Sequence, residues 1–241
     1  MNETVAALLR KNDLPLRHIV DLGCGCGATM QQLLGYYPLA EITGVNIDEE
    51  QLQVAEKKLA HAGLSVRARL HHADFQATGL PASSFDAAYA LETSCYGRSE
   101  TKAAFITEAA RLLRPGGRLV VVDGFRKHGR PLPRLVEWLY QKNLNAWQMP
   151  SLAQIAVFET TLRQHGFEEV KTRDISWNML PSLAFIPLVV MKLFISNLVQ
   201  PDAGKQWYTR ALLWTLALAP FKRHFAYCTV TCVKSPVELK N

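Results

Sequence analysis

Short apolar runs alternate with stretches that are apolar on one side only, and this pattern covers the first two-thirds of the chain. His18–Leu22, Glu41–Asn46, Val66–His72 and Phe85–Leu91 each read as a strand. Arg118–Asp123 is the clearest, because Leu119-Val120-Val121-Val122 has no polar member, as in a strand covered on both faces. Between the strands the spacing turns helical. Asp48, with Gln51 three residues on, starts a helix that runs to about His61 and ends at Gly63. Ser99–Leu113 is a second, stopped by Pro115-Gly116-Gly117, and Ser151–His165 a third, closed by Gly166. Glu168–Ile175 and Phe225–Val233 complete the set of strands. Alternating strands and helices predict parallel βαβ units. The expected fold is a Rossmann-like, seven-stranded, mostly parallel sheet flanked by helices.

One segment breaks the alternation. Between the sixth and seventh strands, Ser176 to His224 carries two apolar helical runs, Leu183–Val199 and Trp207–Phe221. Pro187, Lys192, Ser196 and Asn197 interrupt the first, which is marginal against the about 20 apolar residues of a membrane span. It reads as buried or interfacial. The expected division is one domain over 1–241, with an α/β core of 1–175 and 225–235 and a helical substrate lid of 176–224.

The strongest local chemistry lies between the first strand and the first helix, in Asp21-Leu22-Gly23-Cys24-Gly25-Cys26-Gly27-Ala28. Glycines there let backbone approach a ligand that a Cβ atom would exclude, at the carboxyl end of a strand where open α/β sheets bind ligands. Gly23, Gly25 and Ala28 also satisfy the dinucleotide spacing, a weak pattern alone. Asp21 argues against a pyrophosphate, which it would repel, and for a cationic ligand. Ala73-Asp74-Phe75 offers an acid and an aromatic ring suited to an adenine.

In this order the motifs resemble those of class I S-adenosylmethionine (SAM)-dependent methyltransferases. Asp21–Gly27 is similar to the family's first motif, Gly44–Asp48 to its second-strand motif, and Ala73–Phe75 to its adenine contact. Leu80–Asp86 is similar to the approach to strand four, and Arg111–Leu119 to the turn before strand five. The resemblance implies SAM as cofactor and S-adenosyl-L-homocysteine as product. The cofactor residues it implies are Asp21, Gly23, Cys24, Gly25, Gly27, Asn46, Ile47, Gln51, Ala73, Asp74, Phe75 and Leu91. Asn46 stands where many members place a ribose-binding carboxylate. With Gln51 it is similar to the branch that methylates sterols, tocopherols and fatty-acyl chains. Asp48 could take over the ribose contact, but its better-supported work is the helix cap.

SAM's methyl is already electrophilic, so catalysis needs positioning and, for a weak nucleophile, a base. The segment after strand four, Tyr89–Gly97, resembles the sterol and prenyl-lipid enzymes in its Glu followed by small and polar residues. Glu92 is the candidate base or cation stabiliser and Tyr96 the candidate cation–π partner. Their bland readings are a hydrogen-bonded loop acid and a packed aromatic. The other histidines, His71, His72, His128 and His165 among them, read as structural or exposed. No His stands beside Glu92, which weighs modestly against O-methylation. The expected reaction is methyl transfer to a hydrophobic small molecule (isoprenoid, sterol or quinol-like), C-methylation slightly ahead of O-methylation. A polar sugar or amine acceptor, a non-catalytic SAM-fold binding protein and a nicotinamide-dependent reductase are the alternatives.

Charge refines the choice of partner. The chain carries +6 at neutral pH, and Lys192, Lys205, Arg210, Lys222 and Arg223 face only Asp202 between Trp177 and His224. Basic and apolar together suit a greasy substrate or peripheral contact of 176–224 with a membrane surface; no nucleic-acid motif is present. Five cysteines without a paired framework suggest a reducing compartment. Cys24 and Cys26 lack the second pair a zinc site needs, so no metal is expected. Met1–Arg10 has no signal-like apolar core. A cytoplasmic protein, peripheral at most to a membrane, is the expectation.

Overall fold

Every apolar run of the strand type enters one sheet: β1 (His18–Leu22), β2 (Glu41–Asn46), β3 (Ala68–His72), β4 (Phe85–Leu91), β5 (Leu113–Arg126), β6 (Phe167–Asp174) and β7 (Phe225–Lys234). The computed structural model describes residues 2–10, 16–199 and 202–236. Strand order is β3-β2-β1-β4-β5-β7-β6. Pairings from β3 through β5 are parallel, and β7 runs antiparallel to both its neighbours.

Burial on both faces explains the composition of β5. Leu119 and Val121 join Phe105, Ile106 and Phe158 on one side, from helices α4 (Ala103–Leu112) and α6 (Ile155–Gln164). Val120 and Val122 join Val5, Leu9, Met30 and Leu34 on the other, from α1 (Asn2–Leu9) and α2 (Ala28–Tyr36). Asp48 caps α3 (Glu49–His61), its Oδ1 accepting from the Gln51 amide at 3.1 Å. The order reverses between β1 and β4, so the loops leaving those strands diverge and open a crevice.

Several expected boundaries move, each for a local reason. The helix expected from Ser99 begins at Ala103, because Lys102 holds a left-handed backbone with φ 58°. β5 reaches back to Leu113, which pairs with Phe85 across a register shift. β3 starts at Ala68 rather than at Val66, which is exposed. The helix expected from Ser151 begins at Ile155. Two helices were not legible in the hydrophobic pattern: α1, and α5 (Arg134–Trp147), whose tryptophans, tyrosine and asparagines blur its apolar stripe. The insert forms α7 (Leu180–Val199) and α8 (Ala203–Leu218). α8 packs on α5, with Trp214 edge-on to Trp138 at 5.4 Å. In α7 no described side chain is buried, which removes the buried alternative for that run.

The loop carrying Ala73–Phe75 is held to α4 by one buried carboxylate. Glu108 accepts from the Thr78 amide at 2.8 Å and hydroxyl at 2.5 Å, and from Arg111 through two 2.7 Å bonds. The Arg111 guanidinium, helped by Thr78, pulls its carboxyl down to about 2. An acid with a depressed folded pKa contributes stability that is present above the unfolded value and lost as pH falls toward the folded one. Glu108→Gln is therefore expected to lower stability at pH 7 by about 1–3 kcal/mol, the gap to wild type closing between about pH 4.5 and pH 2. Urea unfolding across that range checks it, and a pH-independent gap would contradict the assignment.

Candidate active site

Polar side chains gather at the carboxyl ends of β1 to β5, around the point where strand order reverses. The β1 turn is built by close approach. Gly23 has φ 100°, and a Cβ there would stand 2.3 Å from Thr93 Oγ1 and Cγ2 in the β4 loop. The Gly23 and Cys24 amides both donate to the Val45 carbonyl at 2.9 Å, which ties the turn to β2. Gly25, φ 51°, faces open space in which only Gln51 Oε1 lies within reach, 3.5 Å from where its Cβ would be. Gly27, also left-handed, closes the turn at the N-terminus of α2.

Asp21 lies under this turn, 2% exposed, and accepts from the hydroxyl of Tyr89 on β4 at 2.6 Å. Burial pushes its carboxyl up to about 7, against the pull of that hydrogen bond. A carboxylate that burial disfavours is stabilised by an arriving cation and destabilised further by an anion. Beside it, the Asn46 amide donates to Gln51 Oε1 at 3.1 Å while Asn46 Oδ1 accepts from the Ile47 amide at 3.0 Å. His72 Nε2 meets the Ile47 carbonyl at 2.9 Å, and the Ala73 amide donates to the Asn46 carbonyl at 3.0 Å. An open glycine cradle, a buried carboxylate and an exposed amide pair fit a cationic nucleoside such as SAM.

The adenine-side residues are engaged elsewhere in this structure. Asp74 pairs with Arg98 at 2.6 Å and accepts from the Gln76 amide at 2.9 Å. Phe75 packs edge-on against Phe105 of α4 at 5.9 Å. Gln76 Oε1 also accepts from the Arg98 amide at 2.8 Å, joining the β3 and β4 loops.

At the exit of β4, Glu92 sits exposed on a left-handed backbone, φ 53°, fixed by its amide donating to the Val122 carbonyl at 2.8 Å. Its Oε1 accepts from the Tyr227 hydroxyl of β7 at 2.7 Å. Burial and the adjacent carboxylate push the Tyr227 phenol well above its ordinary range, so it stays protonated and donating. Leu91, half-buried, ends the strand before Glu92. Ser94–Tyr96 forms a single 3-10 turn held from below by Asp123, which accepts from Ser94 Oγ at 2.7 Å and the Cys95 amide at 2.9 Å. Lys102 Nζ, buried, donates to the carbonyls of Cys95, Gly97 and Ser151 at 3.2, 2.8 and 2.9 Å. That turn presents Tyr96 at 40% exposure, and burial of its hydroxyl end pushes the phenol up to about 12.

Three participants went unread in the sequence. Asp123 had a signal: an acid closing the all-apolar run of β5. Tyr227 had none, because its meeting with Glu92 depends on β7 pairing Tyr227 with Gly124. Lys102 looks like any lysine before a helix. Cys24 and Cys95 are buried and burial raises both thiols, so their side chains pack under the turns.

Two experiments test the cradle. Gly25→Ala is expected to fold, because its Cβ meets nothing closer than 3.5 Å, at a cost of about 1–2 kcal/mol for a left-handed alanine. It is expected to lose at least about tenfold in SAM affinity by calorimetry, or about 1.4 kcal/mol. Gly23→Ala is expected to yield no folded protein. Wild-type affinity in Gly25→Ala would place the ligand elsewhere. The second concerns Asp21, whose raised pKa makes the folded state hold a proton that the unfolded chain loses near pH 4. Stability then falls as pH rises from about 4 to about 7 and levels off above. Asp21→Asn escapes that loss, so its melting-temperature advantage is expected to widen across the same window. A constant offset would show that Asp21 is not a buried charge.

Residues 19–117 match the methyltransferase-domain family model. An O-methyltransferase, cnsE of Penicillium expansum, is 32% identical over 169 residues, 68% of this chain and 57% of that protein. The 2-methyl-6-phytyl-1,4-hydroquinone methyltransferase of Synechocystis is 25% identical over 205 residues, 84% of this chain and 61% of that protein. The chain thus spans about three-fifths of the length of these curated relatives. The cyclopropane synthase MmaA2 of Mycobacterium tuberculosis shares the fold at a TM-score of 0.80 and 17% identity, over 97% of this chain and 82% of that one. Matched domain, motif order and sheet topology agree: residues 19–117 of the chain form a SAM-dependent methyltransferase domain.

Proposed function

We propose that the protein transfers the methyl group of SAM to a hydrophobic small molecule that carries a hydroxyl on an electron-rich unsaturated system, a quinol or isoprenoid-like acceptor. The observation that carries this reading is the Glu92–Tyr227 pair at the exit of β4, 2.7 Å between oxygens. Tyr227 occupies Oε1 of Glu92, which leaves Oε2 to take the acceptor's proton. Bound SAM supplies an electrophilic methyl on a sulfonium. Asp21 and the Gly23–Gly27 turn would hold its amino-acid end, Asn46, Ile47 and Gln51 its ribose, and Ala73–Phe75 its adenine, once Arg98 releases Asp74. Tyr96 would offer its ring face to developing positive charge.

Removing a phenol's proton enriches both the oxygen and the ring carbons beside it, so one base serves C- and O-methylation alike. C-methylation is our first reading, supported by the absence of a histidine beside Glu92 and by the likeness to a hydroquinone methyltransferase. O-methylation is the second, supported by the 32% identical O-methyltransferase. The aromatic wall of α5 and α8, where Trp147 meets Trp207 and Tyr208 at 5.9 and 5.8 Å, favours an apolar acceptor over a sugar or amine.

Incubating the protein with methyl-labelled SAM and a source-cell extract, then partitioning the products, tests the acceptor class. Label is expected in the organic phase, and the carbon chemical shift of the new methyl then separates C- from O-transfer. Aqueous label would instead favour the polar acceptor, and no label a binding protein. Glu92→Gln and Glu92→Ala are each expected to lower kcat at least about tenfold, or about 1.4 kcal/mol of barrier, with SAM affinity unchanged. Tyr227→Phe is expected to lower kcat less and shift its pH profile, because it positions the carboxylate without touching the acceptor. Turnover within about threefold of wild type in both Glu92 variants would remove that residue from the chemistry.

A further inference from the structure

Helix α7 has no counterpart to its apolar surface anywhere in the described chain. Phe185, Leu188, Met191, Phe194 and Ile195 are each more than half exposed. Side chains at 183, 186, 190, 193, 196 and 197 are half-buried, and the other described side chains of the helix are exposed. An 18-residue window of Ser176–Asn197 reaches a mean hydropathy of 2.0, Lys192 is the one charged residue of the segment, and none of the window's described residues is buried. A patch of this kind marks a docking surface.

The way α7 is tied down decides how it docks. At its start, Lys222 Nζ lies 3.9 Å from the centre of the Trp177 ring, and Ser176 Oγ accepts from the Tyr227 amide at 2.9 Å. At its end, Asn197 Oδ1 accepts from the Asp202 amide at 2.9 Å, leading into α8. α8 lies antiparallel along α5, Trp207 beside Trp147 at 5.9 Å and Trp214 beside Trp138 at 5.4 Å. Both ends of α7 are therefore held against one domain. A spanning helix must set its ends about 30 Å apart on opposite sides of the hydrocarbon, and twenty residues of α7 would need that whole length. Tethered at both ends, it can only lie flat.

Charge identifies the surface it lies on. The 176–224 segment carries Lys192, Lys205, Arg210, Lys222 and Arg223 against Asp202. Exposed Trp177, Trp207 and Tyr208 stand at the two ends of the helix, the residue types that settle at headgroup level. An apolar helix in a cation-rich segment, with aromatic rings at its two ends, suits the boundary between headgroups and acyl chains of an anionic bilayer.

We infer that α7 docks in the plane of an anionic membrane surface, with Phe185, Leu188, Met191, Phe194 and Ile195 inserted. Because Ser176 bonds the backbone of Tyr227, docking sets the Glu92–Tyr227 mouth beside the lipid. The inference does not depend on the proposed reaction, and its readout is lipid binding alone.

Flotation of the full chain with phosphatidylcholine vesicles, with and without phosphatidylglycerol, tests it. The protein is expected to float with the anionic vesicles at least tenfold more than with the neutral ones, and to be stripped by alkaline carbonate. Phe185→Glu/Phe194→Glu is expected to stay at the bottom with an unchanged melting temperature, while Phe194→Leu floats like wild type. Wild type remaining at the bottom with both lipids would overturn the inference. Equal flotation with both lipids would overturn its charge component, and resistance to carbonate its in-plane geometry. A wild-type dimer that the double variant converts to monomer, without flotation, would assign the face to a second copy of the chain.

Discussion

Gly23 and Thr93 come from turns that leave adjacent strands of the sheet, and each turn fills the space the other leaves. Because a Cβ on Gly23 would stand 2.3 Å from Thr93, the β1 turn can close only as glycine, and the β4 loop can rest only on glycine. That contact places the floor of the crevice. Gly25 then opens upward beside Gln51, Asp21 is sealed beneath with Tyr89, and Glu92 is lifted out at the end of β4. Distances between the ligand-facing groups thus follow from one backbone-to-side-chain contact at the reversal of strand order, where an α/β sheet has its natural cleft.

Below that floor the polar groups are fixed by buried charge. Asp123 and Lys102 grip the 93–97 segment from opposite sides, one accepting from its amide and hydroxyl, the other donating to its carbonyls. Burial raises the Asp123 carboxyl and lowers the Lys102 ammonium, so each is held charged only through the bonds it makes. Neither group faces the crevice opening, and their effect is to leave Tyr96 and Glu92 few positions to adopt. A pre-set geometry of this type matters for a methyl transfer, in which orientation supplies much of the rate.

The glycine turn, the Asp48 cap and the five parallel strands were legible because each requirement is local: a left-handed residue, a side chain reaching its own helix, a run covered on both faces. Asp21 was legible as an acid beside the glycine turn, though its partner Tyr89 was not. What stayed hidden depends on register across long sequence separations. Glu92 meets Tyr227 only because β7 inserts between β5 and β6 and sets Tyr227 against Gly124. Phe75 was read as a ligand face, and its edge contact with Phe105 of α4 is a further long-range pairing that the sequence does not display. The apolar run of α7 was divided between core and interface, a choice that composition cannot make; exposure removes the core.

The placing of β7 has a consequence in the order of synthesis. Its nine-residue pairing with β5 joins 118–126 to 225–233, so the sheet's far edge cannot close until the whole insert has left the ribosome. Contacts of such long range form late and slowly. During that interval α7 is already complete, apolar on its outward sides, while the strand that will anchor its base does not yet exist. The nascent chain therefore shows its greasiest helix before its domain is finished, and a lipid surface or a chaperone has the first opportunity to cover it.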